Sequence, residues 1–166
     1  MSGGRAYSAT LAKDLVRVEV DGVLYALEVG RIREIVNPLD VIELPRERSF
    51  VLGVADYREE VVPVVDLRTF FGLGPGEVGR RTKWIILEAK DRLVGIVVDA
   101  VLDVFSSAEH RQRHVPVLDE RHQERGIVSA YRHDERLVFL LDAERLAEPA
   151  IQIPPDELSL LPSEAP

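Results

Sequence analysis

Residues 20–36 read VDGVLYALEVGRIREIV, and residues 89–105 read AKDRLVGIVVDAVLDVF. Laid over each other, the two stretches share a tight turn, an apolar strand and then a short helix-like element. Apolar positions coincide at Leu24/Leu93, Leu27/Ile96, Val29/Val98, Ile32/Val101 and Ile35/Val104. Farther on, residues 61–70 (VVPVVDLRTF) match residues 137–146 (LVFLLDAERL), each a strand that ends on an Asp opening a short helix. Gly53 followed by Tyr57-Arg58 has an echo in Gly126 followed by Tyr131-Arg132. The matches keep the same order, so the chain reads as two similar β units of roughly 65–75 residues. Units of that size bury too little surface alone. They are expected to pack face to face and leave a groove, which is a preferred place for binding.

Working outward from the repeat, short apolar runs mark strands at 15–20, 23–29, 41–44, 51–57, 61–65, 84–89, 93–98, 126–131 and 137–141. Val, Ile and Leu dominate them, and Asp21-Gly22 and Lys90-Asp91 sit between neighbours as hairpin turns. Three stretches have room for about two helical turns: 30–36, 66–71 and 142–147. Asp66 and Asp142 are placed to cap the last two by accepting backbone N–H bonds. Many short strands without a long amphipathic helix between them favour barrels over a parallel α/β sheet. The expected fold is all-β with a few short helices, built as two pseudo-symmetric five-stranded barrels that are intertwined, with approximate repeat halves 11–72 and 82–147. Residues 1–10 are small and polar, and residues 148–166 hold five of the ten prolines. Both ends are expected to be flexible tails.

Composition excludes several functions. The net charge of −8 opposes a nucleic-acid binder, whose affinity comes from clustered Lys and Arg. Aromatics at 6% leave too few stacking rings for an oligonucleotide-binding barrel. There is no cysteine, hence no disulfide, thiolate metal site or cysteine nucleophile. No apolar run nears the ~20 residues that span a bilayer, and the N-terminus has no apolar signal core. A cytoplasmic location is the expectation.

Chemistry-bearing residues concentrate in one place, where His110, His114 and His122 stand among Glu109, Asp119, Glu120 and Glu124. His110 and His114 have the i, i+4 spacing that can hold zinc on a helix face. The stretch lacks the His-Glu-x-x-His arrangement that supplies a general base, and Arg111, Arg113, Arg121 and Arg125 would repel a cation. A small metal-dependent enzyme using this loop is the alternative of another class; the expectation is no metal and no cofactor. Asp66 is followed by Leu67-Arg68 rather than the small residues that expose a protease aspartate. The glycine-rich 72–76 lacks the Lys-Ser/Thr of a phosphate loop. A β protein without a catalytic constellation is expected to work by binding.

The segment 53–72, GVADYREEVVPVVDLRTFFG, resembles the signature of the CheW-like family of chemotaxis coupling proteins. Leu24–Leu27 with 32–35, Gly95–Asp99 with 101–104, and 137–146 are similar to three other blocks of that family in the same order, so the likeness covers about residues 11–147. The resemblance implies a pair of five-stranded SH3-like barrels and a non-catalytic adaptor role. Its partners would be the cytoplasmic tip of chemoreceptors and the regulatory domain of a CheA-type histidine kinase. It puts Ile32, Gly53, Val54 and Arg58 at the receptor- and kinase-binding groove. The bland alternatives are core packing for Ile32 and Val54, a backbone requirement for Gly53 and a solvated charge for Arg58. The chain departs from the family pattern at Asp56, Glu59 and Glu60, so three acids flank Arg58, and at Lys83 beside the groove. A divergent accessory coupler that binds only one of the two partners is a second reading within the family.

Overall fold

The computed structural model describes residues 13–44, 50–109, 112–113, 125–154 and 158. Its elements in chain order are β1 (Asp14–Val20), β2 (Val23–Glu28), β3 (Ile32–Val36), β4 (Val51–Tyr57), β5 (Glu60–Asp66), α1 (Leu67–Phe70), β6 (Lys83–Ala89), β7 (Arg92–Val98), β8 (Ala100–Ser106), β9 (Gln112–Arg113), β10 (Ile127–His133), β11 (Arg136–Leu141) and α2 (Ala143–Ile151). Single 3-10 turns precede β3, at Val29–Arg31, and follow β8, at Ser107–Glu109. The protein is all-β with short helices, as the strand pattern implies.

Four hairpins turn on two consecutive residues with positive φ: Asp21-Gly22, Arg58-Glu59, Lys90-Asp91 and Asp134-Glu135. This is the backbone of a two-residue I′ turn, whose twist matches that of the flanking strands. Asp66 caps α1, accepting from the Arg68 amide at 3.2 Å and the Thr69 hydroxyl at 2.8 Å. Asp142 caps α2, accepting from the Glu144 amide at 3.0 Å. Both caps are where the repeat put them.

The strands form a five-stranded sheet, β3-β6-β7-β5-β4, and a six-stranded sheet, β8-β1-β2-β11-β10-β9. Each is open in its hydrogen-bond order rather than a closed ring. In the first sheet the edges β3 and β4 are linked, among the described residues, through the bridge Ile42 to Val54 after β3. The equivalent link in the second sheet is β9 pairing with β10 at Arg113–Ala130 and Gln112–Tyr131. Each sheet surrounds a small core of its own, Trp84, Ile86 and Val64 in one and Leu24, Phe105 and Val138 in the other. The largest core lies between the sheets and draws on both, through Val16, Leu27, Ile85, Ile96 and Leu146 among others.

The repeat is reproduced in register. The bulged pairing of β3 with β6 (Ile32↔Leu87, Glu34↔Ile86) matches that of β8 with β1 (Val101↔Val18, Asp103↔Arg17). The parallel pairing Val64↔Gly95 matches Leu140↔Ala26. In space the repeat halves 11–72 and 82–147 interleave. The hairpin β1–β2 of the first half joins β8, β10 and β11, and the hairpin β6–β7 of the second half joins β3, β4 and β5. The two halves therefore exchange hairpins: the five-stranded sheet takes the consecutive strands β3 to β7, and the six-stranded sheet joins β1 and β2 to β8 through β11.

Four local expectations are corrected. Residues 30–36 form a 3-10 turn and then strand β3, because Ile32, Ile35 and Val36 pair along β6 and β-branched side chains favour a strand over a helical turn. Of 41–44, only Ile42 pairs, as a single bridge. The echo of Gly53…Tyr57-Arg58 is out of register, since the ladders match Gly53 with Ser129, Tyr57 with His133 and Arg58 with Asp134. Lastly, the chain is not a free tail from residue 148. Helix α2 runs to Ile151, Ala150 and Ile153 are fully buried, and Leu158 packs on the inter-sheet core. Pro149 does not stop the helix at 148, because the helix is held by burial of its apolar face and by Arg92, which donates to the Ile151 carbonyl at 2.7 Å.

Candidate functional site

Arg58 occupies the first corner of the β4–β5 turn, with φ of 49°. Its guanidinium lies 5.6 Å from the Tyr57 ring centroid and makes two bonds of 2.9 Å to the two carboxylate oxygens of Glu34 on β3. The Tyr57 hydroxyl donates to the same carboxylate. Three side chains from two non-adjacent edges of the sheet thus form one clamp. The Arg58 bonds, with help from the Tyr57 hydroxyl, hold the Glu34 carboxyl down at about 2. The same carboxylate raises Arg58 above its ordinary value, and raises the Tyr57 phenol as well. Arg58 nonetheless keeps 70% of its side chain exposed. The acids beside it in sequence are not its partners. The turn lays Arg58 back over Tyr57, towards β3, so Glu34 reaches it.

Gly53 sits at the β4 bulge with φ of 153°. A Cβ there would collide with the Ile42 carbonyl oxygen, so glycine is what lets the 41–42 segment approach. Val54 exchanges backbone bonds with Ile42 at 2.8 and 2.9 Å, and its side chain is 1% exposed. It is therefore packed inside the protein and presents no surface to a partner. Ile32 opens β3 opposite Leu87 and is half-buried at the fringe of the inter-sheet core. Glu34, opposite Ile86, belongs to the other face of the sheet. The structure thus brings Arg58 together with Glu34 and Tyr57, and Gly53 and Val54 together with Ile42. It leaves Ile32 on the opposite face of β3 from the clamp. Lys83 donates to the Asn37 side chain at 2.8 Å, which ties the start of β6 to the loop after β3.

Sequence reasoning missed Glu34 as the partner of Arg58, because the two are joined only by tertiary pairing. It also missed two exposed apolar positions. Ile35 on β3 and its repeat partner Val104 on β8 are both exposed, Val104 to 60%. Val101, the partner of Ile32, is likewise half-buried against the inter-sheet core. The signal was available, since the repeat aligns Ile32 with Val101 and Ile35 with Val104. His110, His114 and His122 lie outside the described residues. Among the described residues no group of His, Asp or Glu is arranged to hold a metal, and no helix is long and apolar enough to cross a membrane.

The family model of the CheW-like domain matches residues 14–150. This chain belongs to the CheW-like family. Among its relatives, the chemotaxis protein CheW of Thermotoga maritima is 29% identical over 136 residues, covering 81% of this chain and 87% of that protein. The chemotaxis protein CheW of Klebsiella aerogenes is 30% identical over 122 residues, 74% of each. Protein FrzA of Myxococcus xanthus is 37% identical over a shorter 76 residues, 46% of this chain and 42% of FrzA. The crystal structure of the scaffolding protein TtCheW from Thermoanaerobacter tengcongensis superposes with a TM-score of 0.71 at 22% identity, covering 82% of this chain and 88% of that one. The Arg58 clamp thus lies at the β4–β5 turn of the five-stranded sheet, and Ile32 and Val101 pack against the core between the sheets.

Proposed function

We propose that the chain is a non-catalytic cytoplasmic adaptor that couples the cytoplasmic tip of chemoreceptors to the regulatory domain of a CheA-type histidine kinase. Membership of the CheW-like family supports the adaptor role. The observation that carries the site is the Arg58 clamp. A guanidinium that is fixed by Glu34 and Tyr57 yet largely exposed is already ordered before binding, so docking costs little further side-chain entropy. Ile32 and Val101 supply apolar contact at the seam between the sheets. Gly53 acts through the close approach of Ile42, and Val54 acts beneath the surface by holding that approach.

The test is titration of the full chain with a receptor-tip helical-hairpin fragment and a kinase regulatory-domain fragment. Wild type is expected to bind both. Arg58→Ala is expected to weaken at least one of them about thirtyfold, which is ~2 kcal/mol for a desolvated Arg anchor. Wild-type affinity of Arg58→Ala for both fragments would remove the residue from the site. Binding to a single fragment would make the chain an accessory coupler. Stoichiometric zinc that survives dialysis and is lost on His110→Ala or His114→Ala would favour the enzyme reading instead.

A further inference from the structure

The small cores of the two sheets are covered differently. In the five-stranded sheet the chain that follows β3 packs Leu39 and Val41 onto the core, and Gly53 makes the room for Val41. In the six-stranded sheet Arg113 pairs with Ala130 as Ile42 pairs with Val54, so Gln112 stands in the place of Val41 and Ser129 in that of Gly53. Among the described residues, the apolar side chains that flank this second core are Leu102 and Leu140, both from its own strands. A cleft of about 220 Å³ lies where β2 and β11 end and β10 begins, walled by Val128, Leu140, Leu141 and Ala143, with Glu28 and Asp142 beside them. Val128 is 49% exposed. Ser129, opposite Leu140 in the ladder, is 5% exposed, and its hydroxyl bonds nothing among the described residues.

We infer that this cleft is the docking site of the chain's own residues 1–12, with Leu11 seated against Val128 and Leu140. The described chain begins at the cleft: the Lys13 amine lies 3.0 Å from the Glu28 carboxylate. Burial in the second core raises the Tyr131 phenol, and Glu28 and Lys13 both act on it as well, which places Lys13 at the same end of that core. Lys13 also carries the β1–β8 pairing one residue past β1, its amide donating to the Ser107 hydroxyl at 2.9 Å and its carbonyl accepting from the Ser107 amide at 2.8 Å. A chain continuing this pairing puts Leu11 on the face of Lys13 and Leu15, and Leu15 is buried in the second core. Two residues span ~7 Å, so Leu11 reaches the cleft without a loop. Charge agrees. Glu28, Asp142 and Glu144 stand there against Lys13 and Arg31, three carboxylates to two cations, and the one charged side chain of residues 1–12 is Arg5. Seating Leu11 removes the exposed apolar surface of Val128 from water, as Leu39 and Val41 do for the other core. The site does not depend on the adaptor function.

The experiment is methyl NMR on the full chain labelled at Leu and Val, with urea unfolding of its variants. Cross-peaks from the Leu11 methyls to those of Val128 and Leu140 are expected, and they should persist on dilution. Leu11→Ser should remove them and shift the Val128 and Leu140 signals, whereas Leu11→Met, which stays apolar, should leave the cleft signals close to wild type. Leu11→Ser and Val128→Ala should each lower the urea midpoint, and the double variant should lose less than their sum, as neighbours in contact do. Should Leu11→Ser fail to fold, the wild-type cross-peaks decide alone. Absence of any cross-peak from Leu11 to the cleft overturns the inference, as does strict additivity of the two variants. Cross-peaks that vanish on dilution would assign the cleft to a second copy of the chain and overturn it too.

Discussion

Arg58 and Glu34 are 24 residues apart in sequence and share the most strongly perturbed electrostatics of the described chain. Both are on the surface, and exposed ion pairs contribute only ~0–1 kcal/mol, so Arg58→Ala and Glu34→Gln should leave the melting temperature nearly unchanged. Their effect belongs to binding. Glu34→Gln keeps an acceptor but loses the charge that orders Arg58, and is expected to lose part of the affinity that Arg58→Ala loses, as measured in the same titration. The sign of the pH dependence follows from the direction of the shift. A carboxyl held below its unfolded value contributes above the ordinary carboxylate range, and that contribution fades only as pH falls towards about 2. Arg58-dependent affinity should thus be flat between about pH 5 and 8, and a clear loss within that window would show that another group titrates the interface. Gly53 behaves in the opposite way. Gly53→Ala forces a Cβ against the Ile42 carbonyl at a backbone conformation that side chains rarely adopt. It should cost about 1–3 kcal/mol in denaturant unfolding, and weaken binding only through that displacement.

Among the elements, α2 shows how packing overrides composition. Its sequence AERLAEPAI carries a proline two residues before its end and is followed by proline-rich chain, features that read as a tail. Yet α2 follows β11 of the six-stranded sheet and packs on β5, β6 and β7 of the other. Leu146, Ala147 and Ala150 are buried there together with Ile153. Arg31 pairs with Glu144 at 3.0 Å near the start of α2, and Arg92 holds the Ile151 carbonyl near its end. The segment is thus a brace between the sheets. Truncating a fully buried isoleucine typically costs about 2–5 kcal/mol, so Ile153→Ala should lower stability by that amount in urea unfolding. A chain whose Ile153→Ala variant unfolds at the wild-type midpoint would have a free tail from residue 148 after all.

For the whole molecule, the exchange of hairpins governs how it folds. β2 pairs in parallel with β11, and β7 in parallel with β5, so each sheet needs strands from both halves before its ladder is complete. Fragments 11–72 and 82–147 should each be unfolded alone, without the near-ultraviolet signal of a packed core. Mixed, they should regain it only if residues up to 153 are restored to the second, since the brace buries Ile153 in the core between the sheets. A folded single half would contradict the interleaved topology. Small β units lacking half of their partner strands have neither the buried area nor the closed edges to stand alone.

The positions of β1, β2, β4 to β7, β10 and β11, the turns at Asp21-Gly22 and Lys90-Asp91, the caps at Asp66 and Asp142 and the repeat were legible in the sequence, whereas β3 and β8 read as helix-like turns. Each rests on a period, a φ preference or a side chain bonding its own neighbourhood, so a short window holds the whole cause. The exposure of Arg58 was legible for the same reason, as a charge at a turn. The partner of Arg58, the burial of Val54, the length of α2 and the exchange of β1–β2 with β6–β7 were decided only by tertiary structure. In each of these cases locally equivalent alternatives compete. Three acids next to Arg58 in sequence were as plausible as Glu34, and either hairpin could have joined either sheet. What chose between them was which strand edges met and which apolar faces closed around the three cores, and those contacts join residues that no local window contains.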